Sequence, residues 1–289
     1  MKTLREYIND ASAKKIAIGH FNISDLAGLK GIFGAAKGLG LPVIIGVSEG
    51  EREFVGVKTA AVLVKSLREE YDYPIYINAD HTYSFEKVEE AAAAGFDMVI
   101  FDGAKLPFDD NLREAKRAVE FARAKYPDLL VEGELGYIGQ SSKILKELPS
   151  GAALTREQFT KSAEAARFVK ETGVDMLAPA VGNIHGMLGL GKDPDLDIEL
   201  IGELKNACGV PLVLHGGSGL KDEEFVKAAK AGMAVIHVNT ELRVAWKEAV
   251  AKAFADGQDE VAPYQFLAKA EEAVRTVVSA RLKLFSGML

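Results

Sequence analysis

The unit that decides the fold spans residues 75–102 and reads IYINADHTYSFEKVEEAAAAGFDMVIFD. An apolar run, Ile75–Ala79, precedes an Ala- and Glu-rich segment with helical spacing, Phe85–Ala94, which stops at Gly95. A second apolar run, Met98–Phe101, follows almost at once. Strand, helix and strand in this order indicate two parallel strands joined by a helical crossover.

This unit recurs along the chain. Further helices are predicted at Asp109–Lys125, at Lys221–Ala231 and at Thr155–Thr172, which opens on a Thr-x-x-Gln cap pattern. Eight nearly continuous apolar strands predict an α/β fold, a closed (β/α)8 TIM barrel. An open doubly wound sheet is the alternative, but it would usually carry a Gly-x-Gly-x-x-Gly turn after its first strand. The predicted strands are Ile16–Phe21, Pro42–Val47, Ile75–Ala79, Met98–Phe101, Leu129–Glu132, Met176–Ala180, Pro211–Leu214 and Ala234–Val238.

The chain is expected to form one domain. Its 289 residues suit a single barrel of about 250 residues plus extensions, and no linker or charge block divides the sequence. We expect a single TIM-barrel domain over residues 1–289, with the barrel at about 14–256. A helical extension at about 257–289 would either close the barrel or form an oligomer contact.

Composition narrows the class of protein. The formal net charge of −7 argues against nucleic acid or an anionic membrane as the main partner. The sequence has no apolar run near the ~20 residues of a membrane span and no signal-peptide core at its start, so a cytoplasmic location is expected. The single cysteine, Cys208, excludes an intramolecular disulfide framework and is expected to be a small buried residue.

The five histidines all fall at or just after the carboxyl ends of predicted strands. In a barrel these ends open on one face, where active sites lie. One histidine would be read as structural, but five on one face predict a metal site with three imidazole ligands and an open position for substrate. Acids on the same face could bind the metal, orient imidazole or carry protons. The histidines are His20, His81, His185, His215 and His237, and the acids are Asp80, Asp102, Glu132 and Glu134.

Two glycine-rich loops point to an anion. Residues 181–186 read Val-Gly-Asn-Ile-His-Gly after the sixth strand, and residues 215–220 read His-Gly-Gly-Ser-Gly-Leu after the seventh. Glycines let successive backbone N–H groups approach a phosphate closely. Many barrels build their phosphate site from the loops after strands seven and eight.

At these residues the sequence resembles the class II fructose-bisphosphate and tagatose-bisphosphate aldolases. The resemblance runs from Gly19 to about Trp246 and rests on six motifs in a fixed order, each at a strand end. The motifs are Asn78-Ala-Asp-His, Phe101-Asp-Gly, Val131-Glu-Gly-Glu-Leu-Gly, Gly182-Asn-Ile-His-Gly, His215-Gly-Gly-Ser-Gly and Asn239-Thr-Glu-Leu-Arg.

The resemblance implies the roles of individual residues. Asp80 would exchange the proton of the aldol hydroxyl, and His81, His185 and His215 would bind a catalytic divalent metal, usually zinc. Glu134 and Asp102 would be acids near this metal that line an alternative metal position, and a monovalent cation is a further cofactor to consider. The implied substrate contacts are Asn22, Ser48, Gly186, Gly216, Gly217, Ser218, His237, Val238, Asn239, Thr240, Glu241 and Leu242.

The implied reaction is the reversible cleavage of a ketose bisphosphate, first of all fructose 1,6-bisphosphate. The products would be dihydroxyacetone phosphate and glyceraldehyde 3-phosphate, formed through an enediolate whose charge a Lewis-acid metal stabilises. Imine chemistry would need a lysine at a strand end, for which Lys105 is the candidate. The alternatives are an aldolase for tagatose bisphosphate or a monophosphate, and a non-catalytic phosphosugar-binding barrel. A homodimer or homotetramer is expected.

The sequence departs from the family pattern in three places. Ser141 and Ser142 stand where the loop after strand five usually carries an acid, with Glu147 and Glu132 as candidate replacements. His237 stands where an asparagine is usual.

The third departure from the family pattern is at Glu49 and Glu51, which add negative charge near the expected distal phosphate. Arg52 is a candidate to offset this charge. Two further residues lie outside the implied active site. His20 is expected to be structural, and Arg243 to be a surface or subunit contact.

Overall fold

The barrel closes because its first strand pairs with both its second and its last. The computed structural model describes residues 1–189, 193–257 and 259–288. All eight predicted strands are present, all pairings are parallel, and the order around the barrel is β1-β10-β9-β7-β5-β4-β3-β2. The predicted TIM barrel is therefore confirmed. The barrel strands are β1 Ile18–Asn22, β2 Val43–Val47, β3 Ile75–Thr82, β4 Met98–Phe101, β5 Leu130–Leu135, β7 Met176–Pro179, β9 Leu212–Leu214 and β10 Met233–Val238.

Helices surround this barrel, and two short strands lie outside it. Strands β6, Ile144–Leu145, and β8, Met187–Leu188, pair with each other in the loops after β5 and β7. The helices are α1 Leu4–Lys14, α2 Leu26–Leu39, α3 Glu49–Val55, α4 Val57–Tyr71, α5 Phe85–Ala94, α6 Phe108–Lys125, α7 Ser162–Thr172, α8 Ile198–Cys208, α9 Asp222–Ala231, α10 Thr240–Asp256 and α11 Pro263–Phe285. Among the described residues, no helix has the length and apolar character needed to cross a bilayer.

Because successive side chains of each strand point to opposite faces, the protein has one hydrophobic core inside the barrel and one between the barrel and its helices. In β2, Val43 and Ile45 pack outward against the helices, whereas Ile44 points into the barrel. Helix α1 adds Leu4 and Ile8 to the interior core, which places it across the amino-terminal end of the barrel. The opposite end, where the strands terminate at their carboxyl residues, is left for the polar loops.

The C-terminal helix α11 belongs to the outer layer of helices. It packs against α2 and α10, contacts β1, and buries Val278 and Leu282. The Phe285 ring stacks near Phe21 of β1, with 6.4 Å between ring centroids. The helix therefore covers the outside of β1, whereas the barrel itself is closed by the pairing of β1 with β10. The domain boundaries given above stay a prediction.

One predicted helix start is wrong. The α-helix expected from Thr155 begins only at Ser162. The Gln158 side chain does cap the segment, since its Oε1 accepts from the backbone N–H groups of Leu154 and Thr155 at 3.1 Å each. These bonds close an isolated turn that the chain leaves before α7.

Cys208 is the last residue of α8 and is half buried. Burial raises the pKa of its thiol to about 11.

Candidate metal centre and active site

A pocket of about 660 Å³ opens at the carboxyl ends of the barrel strands. Most of the residues implied by the sequence line it. His215, Val238, Glu241 and Leu242 are not among the lining residues, nor are the acids Asp102 and Glu134, which lie behind His81. The predicted residues in the wall are Asn22, Ser48, Asp80, His81, His185, Gly186, Gly216, Gly217, Ser218, His237, Asn239 and Thr240.

An irregularity in β3 lets two neighbouring residues face this pocket. Successive side chains of a regular strand point to opposite faces. The pairing of β3 with β4 shifts register between Ala79 and Thr82, and His81 has a φ of +43°. Because of this left-handed residue, both Asp80 and His81 line the pocket. Such backbone is costly for a residue with a side chain and is typical of functional sites.

Three imidazoles from distant parts of the chain converge at the base of the pocket. One ligand nitrogen from each of His81, His185 and His215 lies within 4.8 Å of the other two. Two of the rings are oriented by acids: His81 Nδ1 lies 2.8 Å from Asp102 Oδ2, and His215 Nε2 lies 2.8 Å from Glu132 Oε1.

The free nitrogens of this cluster fit a cation. His185 Nε2 and His215 Nδ1 are buried and have no hydrogen-bond partner among the described residues. An imidazole held by a carboxylate on one nitrogen and open on the other is the usual arrangement of a metal-binding histidine. Two nitrogens bound tetrahedrally at about 2.0–2.1 Å lie about 3.4 Å apart, so small side-chain movements would close this set on zinc. The residues present therefore fit the divalent metal expected from the sequence.

The acids and histidines perturb one another strongly. Burial lowers the pKa of His81, but the carboxylates of Asp80, Asp102 and Glu134 outweigh it and raise that pKa to about 10. Burial likewise raises the pKa of Asp80, and the His81 and His237 imidazoles reverse this and hold it well below its usual value. Burial, reinforced by Asp102, holds the pKa of Glu134 well above the ordinary range. Charge in this pocket is thus concentrated at Asp80 and His81.

The other two histidines form a stack beside Asp80. The rings of His20 and His237 are parallel to within 2°, with centroids 3.4 Å apart. His20 Nε2 lies 3.0 Å from Asn78 Nδ2, and His237 Nδ1 lies 3.6 Å from Asp80 Oδ1. His20 is fully buried and does not line the pocket, whereas His237 does. The structural role expected for His20 stays a prediction, and its ring stacks on that of His237 away from the pocket wall.

The glycine-rich loop after β9 packs against the start of α10. Gly216 has a φ of +62°, and a Cβ there would lie 2.2 Å from the carbonyl oxygen of Ile184. Ser218 Oγ accepts from the backbone N–H groups of Asn239 and Glu241 at 3.3 and 3.4 Å. The hydroxyl therefore occupies the amino-terminal end of α10, where backbone donors and the helix dipole favour an anion.

The loop after β5 covers one side of the pocket. Its Ser141 and Ser142 line the wall, but neither candidate for the missing acid does. Glu147 is exposed outside the pocket, and Glu132 is buried with one oxygen bound to His215. Lys105, the candidate for imine chemistry, is exposed and is not itself among the lining residues, but it donates to Gln140, which is.

Two arginines differ from their expected places. Arg52 does not line the pocket: its guanidinium is buried and donates to the backbone oxygens of Val47 and Asp80, although its charge still attracts Glu49 and Glu51. Arg243 is not merely a surface contact: it lines the pocket and pairs with Glu51 at 2.5 Å. The sequence held a signal for it, since a residue four places after Asn239 lies on the same face of a helix.

Comparisons with known proteins were consistent with this geometry. The family model described as class-II fructose-bisphosphate aldolase matches residues 2–288. The fructose-bisphosphate aldolase of Geobacillus stearothermophilus is 34% identical over 99% of this chain and 96% of its own. The probable fructose-bisphosphate aldolase of Bacillus subtilis strain 168 is 35% identical over 99% and 97%. The crystal structure of the YdjI aldolase from Escherichia coli K12 has a TM-score of 0.82 and 30% identity, covering 99% of this chain and 98% of that one.

Proposed function

Because the chain belongs to the class II fructose-bisphosphate aldolase family, we propose that its pocket reversibly cleaves a ketose bisphosphate, first of all fructose 1,6-bisphosphate. The family is metal-dependent and acts on small phosphorylated sugars, so this chain is an aldehyde-lyase. The products would be dihydroxyacetone phosphate and glyceraldehyde 3-phosphate. The observation that supports the proposal is that Asp80 lines the pocket with its Oδ1 3.9 Å from His81 Nε2, beside the three-histidine cluster.

The metal would be held by His81, His185 and His215, and ligand chemistry favours zinc. A divalent cation there acts as a Lewis acid on the ketone oxygen and stabilises the negative charge that develops when the neighbouring carbon–carbon bond breaks. Asp102 and Glu132 orient two of the ligand rings through their second nitrogens. A monovalent cation is a further ligand to test.

Asp80 would move the proton. In cleavage its carboxylate takes the proton of the hydroxyl on the carbon that becomes the aldehyde. The carbon–carbon bond then breaks and its electron pair passes toward the ketone oxygen. The released carbon of the three-carbon enediolate takes a proton from water, and Asp80 returns its proton to solvent. Asp80 is suited to this role because Asn22 holds its Oδ2, while its buried Oδ1 has no hydrogen-bond partner among the described residues and can accept the proton. His237, beside Asp80, would contact the same end of the substrate.

The phosphate would bind at the glycine-rich loops. Gly186, Gly216, Gly217 and Ser218 line the pocket beside the start of α10, where Asn239 and Thr240 complete the wall. Backbone N–H groups at a helix start bind phosphate without a basic side chain. Val238, Glu241 and Leu242 would support this wall from behind, and Asn22 and Ser48 would contact the sugar.

One observation favours a second candidate, an aldolase for tagatose bisphosphate or for a monophosphate. Glu49 lines the pocket, whereas the charge of the neighbouring Glu51 is paired with Arg243. The negative charge of Glu49 would oppose a distal phosphate. A non-catalytic phosphosugar-binding role has less support, since Asp80 and the three histidines are all in place.

The test is a cleavage assay on the two bisphosphate epimers and fructose 1-phosphate, with and without a chelator. We expect cleavage that the chelator abolishes and zinc restores. Asp80→Ala should bind as much zinc as the wild type and lose at least about a hundredfold in kcat. Full activity of Asp80→Ala would remove Asp80 from the mechanism, and trapping of substrate by borohydride would replace the metal mechanism with an imine.

A homodimer or homotetramer is part of the proposal. Val261 and Tyr264, near the start of α11, are 84% and 72% exposed, and Phe254 of α10 is exposed nearby in sequence. Apolar side chains grouped in this way are typical of a subunit contact. Light scattering on the purified protein would measure the subunit number.

A cytoplasmic location is also part of the proposal, and cell fractionation would test it.

A further inference from the structure

We propose that Arg243 is a positioning residue for Asp80, acting through Glu51 and Asn22, and that it links Asp80 to the loop after β5. The inference rests on the proposed aldol function, in which Asp80 moves the proton. Four separate elements contribute to the network: Asn22 ends β1, Glu51 lies in α3, Asp80 in β3 and Arg243 in α10.

The orientation of Asp80 depends on Asn22. Asn22 Nδ2 donates to Asp80 Oδ2 at 2.8 Å. The other oxygen, Oδ1, is buried and has no hydrogen-bond partner among the described residues. Arg52 donates to the backbone oxygen of Asp80 at 3.0 Å, which fixes the main chain but leaves the carboxylate free to rotate. The Asn22 amide therefore makes the shortest contact that orients this carboxylate, while His237 Nδ1 lies 3.6 Å from its other oxygen.

Glu51 in turn fixes the Asn22 amide. The same Nδ2 donates its second hydrogen to Glu51 Oε2 at 2.8 Å. An amide nitrogen carries two donors in one plane, so acceptors on both sides decide which end of the amide faces Asp80. The amide oxygen points toward Gly46, where an added Cβ would lie 2.7 Å from it. Glu51 thus keeps the donor end of Asn22 on Asp80.

Arg243 completes the network at the mouth of the pocket. The Glu51 side chain is only 6% exposed, and a buried carboxylate needs a charged partner. Arg243 Nη2 lies 2.5 Å from Glu51 Oε1, and its Nη1 donates to the backbone oxygen of Ser142 at 3.3 Å. One guanidinium therefore joins the loop after β5 to the carboxylate that orients Asn22.

The first experiment compares the steady-state kinetics of the zinc-loaded wild type with those of four variants. They are Arg243→Met, Arg243→Lys, Glu51→Gln and the double variant Glu51→Gln/Arg243→Met. We expect Arg243→Met to lower kcat by about tenfold or more, with KM within about threefold, because a misplaced proton carrier slows the chemical step. Arg243→Lys should recover part of kcat, since an ammonium keeps the charge on Glu51 but not the two-pronged geometry.

Glu51→Gln separates the two halves of the network. An amide at position 51 can still accept from Asn22 through its oxygen. Its NH2 group then faces the Arg243 guanidinium, and because both groups are donors they cannot form a hydrogen bond. Its effect should match that of Arg243→Met, and the double variant should be no slower than the slower single variant, as for residues acting in one chain. Effects that multiply in the double variant would overturn the proposal.

Arg123→Met is the matched control. Arg123 is 38% exposed and pairs with Asp175, which is 7% exposed, close to the 43% and 6% of Arg243 and Glu51. This pair lies just before β7, at the opposite end of the barrel. It should leave kcat unaltered and lower the unfolding temperature no more than Arg243→Met does, because Asp175 keeps a second ion pair with Arg5.

Crystal structures of the wild type and Arg243→Met supply a readout that needs no activity. We expect the Asp80 carboxylate to leave the Asn22 amide in the variant. Retention of that contact would overturn the proposal, as would a kcat within twofold of wild type or a change confined to KM. A wild type that cleaves none of the phosphorylated ketoses would refute the proposed function, and the crystal structures would then still decide the network.

Discussion

His81 differs from the other residues that adopt left-handed backbone. In the described part of the chain, three non-glycine residues have positive φ: Lys15, Asp72 and His81. Lys15 and Asp72 each end a helix, where this conformation is common. His81 lies within β3 instead, and its unusual backbone places the proposed metal ligand and Asp80, the proposed proton carrier, on one wall. The fold thus accepts a local cost at the residue where function needs it.

Gly216 offers a residue-scale test of the phosphate site. A methyl group there would lie 2.2 Å from the Ile184 carbonyl oxygen, so Gly216→Ala must displace the loop that carries His185. We expect KM for the phosphorylated ketose to rise at least about tenfold, equivalent to about 1.4 kcal/mol of lost binding.

The control for this variant is Gly202→Ala in α8, where a Cβ meets nothing within 4 Å. It should leave KM unchanged and stabilise the protein by roughly 0.5–1 kcal/mol, because alanine favours the helix. An unchanged KM in Gly216→Ala would place the phosphate elsewhere.

At the scale of elements, α11 stabilises the barrel from outside. It is the longest described helix, and its buried residues face α2 and β1. Gly31 of α2 makes this approach close: a Cβ there would lie 2.6 Å from the Glu271 carbonyl oxygen. Helix α11 therefore acts as part of the barrel wall rather than as an appended tail.

Leu282→Ala tests that packing. Leu282 is 2% exposed, and replacing a buried leucine by alanine removes apolar contacts and leaves a cavity. We expect a loss of about 2–5 kcal/mol in the free energy of unfolding, measured by urea denaturation. The exposed neighbour Lys283→Ala should cost less than about 0.5 kcal/mol. Equal effects of the two substitutions would mean that α11 is not docked in solution.

At the scale of the whole molecule, the metal centre joins parts of the chain that are far apart in sequence. His81, His185 and His215 come together only when the barrel is closed, so a bound cation stabilises the folded state alone. At a free zinc concentration 100 times the Kd, the stabilisation is about 2.7 kcal/mol. Thermal unfolding with and without chelator measures it. His185→Ala should remove most of the difference, and identical unfolding temperatures for the wild type would contradict a metal at this site.

The sequence predicted the positions of side chains correctly where the geometry of the barrel strands determines them. The convergence of the histidines was predictable because parallel strands present all their carboxyl ends on one face. The family resemblance is confirmed over nearly the whole chain.

Directions of side chains on helices and loops were not predictable. Arg52 and Arg243 both follow a strand-end motif, yet one turns beneath β3 and the other into the pocket. The predicted start of α7 was wrong for a related reason, because a capping pattern stabilises an isolated turn as well as a helix.

The short ladder between β6 and β8 has a consequence for how the pocket opens. Gly186 immediately precedes β8, and the Met187 and Gly189 amides donate to Lys143 and Leu145 of the facing loop. The loop after β5 therefore cannot swing outward by itself: it must either break these bonds or pull Gly186 along. Entry of the sugar and release of its phosphate would then be one concerted motion of two loops, with Arg243 at its outer edge.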